Sequence, residues 1–170
     1  MNSSNATADR WSEPVLENVD DQYWQELTKQ ANSAFDIRGM EAAKLAYRAA
    51  LREALKLLER AERSGTDIKD AVPRYVVSVI NTANYEKVAG NGESMVRVFA
   101  AGLERIIELL NDPQKSLAIK AACAHNLPYL IAETRSACAD QAEIDLDFTP
   151  LFDRAKRASL NIVSGHATTH

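Results

Sequence analysis

The stretch ANSAFDIRGMEAAKLAYRAALREALKLLERAER, residues 31–63, decides the reading of this chain. From Met40 onward its apolar residues, Ala43, Tyr47, Ala50, Leu51, Ala54, Leu55, Leu58 and Ala61, recur every three or four positions. That spacing lays one apolar stripe along a helix and is incompatible with the two-residue alternation of a strand. Ser64-Gly65 ends the pattern, because glycine takes the left-handed conformation that closes a helix. On the N-terminal side Trp24, Leu27, Ala31, Ala34 and Phe35 carry the same period, so a first helix over about 20–35 precedes a second over about 39–63. Asp20 or Asp21 is the expected N-cap of the first.

The pattern continues outward. A third helix is expected from Asp70, with Pro73 in its first turn and Val76, Val79, Ile80 and Ala83 facing inward. Its segment YVVSVI has strand-like composition, but the continuation NTANYEKVA is helical and no partner strand exists. After the turn Ala89–Gly92, a fourth helix over about 93–110 presents Met95, Val96, Phe99, Leu103, Ile106, Ile107 and Leu110. A fifth segment over 113–139 is expected to be capped by Asp112 with Pro113 at its first position, and kinked or broken near Asn126 by Pro128. A sixth helix follows Thr149. The sequence therefore predicts an all-α chain of three antiparallel helix hairpins, packed as a short α-solenoid or a helical bundle. Residues 20–163 form one helical domain, 1–19 a flexible lead and 164–170 a disordered tail.

Composition agrees. The 170 residues are 46% hydrophobic and 26% charged, with only 6 Gly and 5 Pro, which is globular and helix-favouring. Twenty basic residues against 24 acidic ones give a net charge of −4, which predicts solubility and argues against nucleic acid as a partner. No apolar run is long enough to span a bilayer. Cys123 and Cys138 match no metal spacing and read as reduced thiols of a cytoplasmic protein.

The stretch ANSAFDIRGMEAAKLAYRAAL, residues 31–51, resembles a tetratricopeptide repeat. Ala31 stands at the repeat's small packing position, Ala34 and Phe35 at its aromatic pair, and Gly39–Ala43 at its turn. Tyr47 and Ala50 stand at the aromatic and small positions that follow. The second hairpin resembles the repeat more loosely. Leu55 replaces the repeat's terminal proline, and the hairpins recur at intervals longer than its 34 residues. The resemblance implies a non-catalytic adaptor that binds a protein or peptide segment on a concave face made by the first, third and fifth helices. By that likeness Asn32, Asn81 and Asn84 would hold peptide backbone through their two-sided amides, with Lys29 and Lys120 at the rim; read by themselves, amides inside helices instead bridge neighbouring helices or cap a kink.

A second feature is a basic row on the second helix, Lys44, Arg48, Arg52, Lys56 and Arg60, each four residues from the last. It reads either as a docking strip for an acidic partner or phosphates, or as a solvated face interleaved with Glu41, Glu53, Glu59 and Glu62. Catalytic motifs are not found. His125 is the one histidine within a predicted helix, and Ala122 stands three residues before it where a di-iron bundle needs glutamate. No catalytic residue, metal or cofactor is expected. The alternative to an adaptor is a small helical ligand-binding regulator or enzyme with a pocket between hairpins, near His125. Trp11 or Phe148, if exposed, would mark a homodimer contact.

Overall fold

A computed structural model describes residues 19–139 and 148–165. The expectations for the N-terminal lead, Trp11, the acidic stretch 140–147 and the last five residues fall outside them. The described residues form six helices: α1 (Val19–Asp36), α2 (Met40–Ser64), α3 (Ile68–Val88), α4 (Gly92–Asn111), α5 (Leu117–Ala139) and α6 (Thr149–Gly165). The chain is all-α, as its periodicity predicts.

Consecutive helices pack as hairpins, and the hairpins stack in order. Beyond sequence neighbours, α3 packs on α5 and α4 on α6. The central helix is α3, more than half of whose residues are buried. This accounts for the strand-like YVVSVI: a helix surrounded by α2, α4 and α5 needs apolar residues on nearly every side, and β-branched ones serve. The main core is built around Phe99, Met95, Leu103, Ile106 and Ile107 of α4, all at most 1% exposed. Each such side chain stabilises the fold by about 1.5–3 kcal/mol on burial. A smaller aromatic cluster joins the first two hairpins, where Phe35, Tyr47 and Tyr85 meet with ring centroids 5.9–6.5 Å apart.

Local chemistry sets the turns. Gly65 adopts φ 74° and its N–H donates to the Ala61 carbonyl at 2.9 Å, closing α2 as expected. At the other end of the domain Ser116, not Asp112, starts α5. Its hydroxyl accepts the Ile119 N–H at 3.3 Å, while Asp112 accepts the Gln114 N–H at 2.8 Å and holds Pro113 in the preceding turn. Pro113 is thus outside the helix it was expected to begin. α5 also runs unbroken through Pro128, beside which Asn126 donates back to the Ala122 carbonyl at 2.8 Å. Pro73 falls in the second turn of α3, because that helix starts at Ile68.

Two further expectations are corrected. Asp21 lies inside α1 and does not cap it; its carboxylate pairs with Arg74 of α3 at 2.6 Å. Beside that pair the Trp24 Nε1–H donates to the Ser78 hydroxyl at 2.8 Å, so α1 is tied to α3 as well as to α2. Phe148 is buried and stacked on Phe152 at 5.7 Å, so it offers no exposed surface for a dimer. Glu62 of α2 accepts from Arg105 of α4 and from Lys115 at 2.8 Å, which fastens α2 to α4 and to the turn after it.

Candidate functional site

Because α3 is surrounded, the few positions where it reaches solvent stand out. Arg74, Val77, Asn81, Asn84 and Val88 are the incompletely buried residues at spacings of three and four, which makes one narrow stripe. Helical geometry places that stripe opposite Val79, which abuts Gly102 of α4. The stripe therefore opens on the side of α3 shared with α1 and α5. Asn81 and Asn84 sit half-buried on it, and neither amide bonds to another described residue.

The other expected members are distributed differently. Asn32 is exposed on α1, but its Oδ1 accepts the Tyr47 hydroxyl at 2.8 Å, so half of its amide is spent bridging α1 to α2. Lys29 is exposed on α1 and Lys120 half-buried on α5. His125 is exposed on α5 and lines none of the clefts described below.

The opposite side of the molecule carries a charged cleft. The basic row divides along α2. Lys56 turns to Glu53 at 3.0 Å, and Arg60 lies exposed beyond it. Arg48 and Arg52 instead open on a cleft of about 390 Å³ between α2 and α4, floored by Thr82 and Glu86 of α3. The far wall is α4, with Ser94, Arg97 and Val98. Sequence reasoning did not reach Glu86 or Arg97, since only tertiary packing brings three helices to one cleft.

Glu86 is the organising group. Its side chain is 1% exposed, with Arg48 Nη2 at 2.8 Å from one carboxylate oxygen and Asn91 Nδ2 at 2.9 Å from the other. Burial alone would push its carboxyl pKa up. The hydrogen bonds from Arg48 and Asn91, with the charges of Arg48 and Lys44, hold it below the usual carboxylate range, so it is ionised at neutral pH. Arg97 donates to the Ser94 hydroxyl at 3.1 Å and stands 3.8 Å from Glu93. Arg52 is exposed and pairs with no described residue. Three cations against one carboxylate in the lining leave a charge of +2 in a chain whose net charge is −4.

A second cleft, about 680 Å³, lies where the first hairpin meets the end of α3, lined by Phe35, Asp36, Arg38, Met40, Val88 and Ala89. Among the described residues no cluster of His, Cys, Asp and Glu is arranged to hold a metal ion. No described helix is long and apolar enough to cross a membrane.

These features define an all-helical protein of stacked hairpins with polar surfaces on two opposite sides. Residues 22–136 match the family described as "Protein of unknown function (DUF2753)", and the chain belongs to that family. The match takes in α2 to α4 whole, most of α1 and most of α5, hence both surfaces. No curated protein and no solved structure matches the chain.

Proposed function

We propose that this protein is a non-catalytic interaction module of tetratricopeptide-like build, working in the cytoplasm, that binds a protein segment along the α1–α3–α5 side. The observation that carries the reading is the pair Asn81 and Asn84. Asparagine is a poor helix former, and two of them within one turn of a central helix cost stability. Neither amide is satisfied by a described neighbour, yet each can offer a donor and an acceptor to an extended backbone. Asn32 contributes less than its position suggests, because Tyr47 holds its oxygen. Lys29 and Lys120 supply charge on the flanking helices.

The test is quantitative affinity capture from native lysate with the wild-type protein and with the double variant Asn81→Ala, Asn84→Ala. One protein retained near stoichiometry by the wild type and lost by the double variant, at unchanged helicity, is the expected result. The same proteins retained by both would remove the amide stripe from the interface. A small-ligand reading draws on the 680 Å³ cleft, whose size suits such a molecule; it predicts that capture returns only the chain itself.

A further inference from the structure

We infer that the cleft between α2 and α4 is a second binding surface, for an extended acidic segment of a partner protein with carboxylates at alternate positions. It is separate from the amide stripe, since Thr82 and Glu86 floor it from the other side of α3.

Arg48, Arg52 and Arg97 converge from two helices on one cleft; Glu86 pairs with Arg48 and Glu93 stands 3.8 Å from Arg97, while Arg52 pairs with no described residue. Guanidinium groups gathered on facing walls repel one another, and a carboxylate ligand relieves that repulsion through paired N–H donors. The anchoring differs among the three. Arg48 is pre-oriented by Glu86, Arg97 by Ser94 and Glu93, and Arg52 pairs with no described residue. Ligand binding therefore orders few side chains, which favours affinity.

Spacing selects the ligand. Neighbours in the basic row are four residues apart, a rise of about 6 Å along α2. An extended peptide presents side chains to one side every two residues, about 6.6–6.8 Å apart. Two carboxylates at i and i+2 thus meet Arg48 and Arg52 in register, and Arg97 meets the segment from the opposite wall. A compact phosphate would engage one point of this track and leave the rest unused. Leu51 and Val98 give the segment's stem atoms an apolar wall. The chain's net negative charge repels acidic peptides elsewhere, so attraction must be local.

Fluorescence anisotropy with two labelled peptides of identical composition tests this, one alternating Glu and Ser, the other with its Glu residues in one block. The alternating peptide is expected to bind more tightly and to weaken with added salt. Arg52→Glu and Arg97→Glu should each cost about ten-fold in affinity, whereas Lys156→Glu, at an exposed position of α6, should change little. Both arginines are surface residues, and unchanged thermal melts will show that the variants fold. Equal binding of the two peptides, or equal loss in the Lys156 variant, would reduce the effect to general charge and overturn the assignment. So would tighter binding of a single-stranded oligonucleotide, or full displacement by inorganic phosphate. The Asn81, Asn84 double variant should bind the alternating peptide normally, so either surface can fail without the other.

Discussion

Arg48 Nη2 lies 2.8 Å from Oε1 of Glu86, joining a half-exposed cation on α2 to a fully buried carboxylate on α3 across 38 residues of sequence. The pair serves two ends. It compensates a charge that burial would otherwise make costly, and it holds the arginine at the mouth of the charged cleft.

Removing the cation should therefore cost stability. Arg48→Ala leaves Glu86 buried with Asn91 as its remaining donor, and we expect a loss of about 2 kcal/mol. The figure is below that for a fully buried pair, since Arg48 is half exposed. Glu86→Gln, which removes the charge and keeps the shape, should cost less. Urea denaturation of the two variants beside the wild type gives the comparison, and a larger loss for Glu86→Gln would contradict it.

The same carboxylate predicts an acid response. Its folded pKa is depressed below the ordinary value of 4.5. Its stabilisation is then complete above about 4.5 and lost as the pH falls through the lower folded value. The wild type should lose stability more steeply than Glu86→Gln in this acid range. Parallel pH profiles of the two proteins would show that Glu86 gains nothing from its partners.

Gly102 permits the close approach of α4 to α3. A Cβ there would lie 2.6 Å from Cγ1 and 3.0 Å from Cγ2 of Val79, a β-branched side chain with little room to move. Gly102→Ala gains up to about 1 kcal/mol in helix propensity, but overpacking of this kind costs about 1–3 kcal/mol. A net loss near 1 kcal/mol is expected. In a Val79→Ala background both Cγ clashes are gone and only the Cβ contact at 3.3 Å stays, so the same substitution should cost much less or become neutral. A double-mutant cycle reads the coupling directly.

How much of this was legible in the sequence depends on the range of the interaction. Gly65 and the apolar stripe of α2 act within a few residues, so the helices and their order could be read. Position-specific details failed where two local signals competed: Asp112-Pro113 looked like a helix start, but Ser116 holds the capping geometry. Asp21 looked like a cap because nothing nearby in sequence reveals Arg74, 53 residues away. The basic row was visible as a row. That two of its members face Arg97 over a buried glutamate follows only from packing α2, α3 and α4 together, and no period in the sequence encodes it. Glu86 stands among Asn84, Lys87 and Val88, all incompletely buried, so nothing beside it in sequence marked it as a buried charge.

The two thiols sit in unlike surroundings. Cys123 is buried, and desolvation, aided by the Glu62 carboxylate and opposed by Arg105, pushes its pKa to about 12 from an ordinary 9.0. The reactive species is the thiolate, which at neutral pH is then nearly absent, and burial blocks reagent as well. Cys138 is only half-buried, and its pKa is raised by burial while Lys87 opposes the shift. Native alkylation with iodoacetamide, followed by peptide mass spectrometry, should label Cys138 first and Cys123 only on unfolding. Because the folded thiol keeps its proton beyond the point where the unfolded one loses it, this group's contribution to stability falls as the pH rises from 9 toward 12. Cys123→Ala should lessen that alkaline loss. Labelling of both cysteines at one rate in the native protein would place Cys123 in a more open site and remove the basis for the alkaline effect.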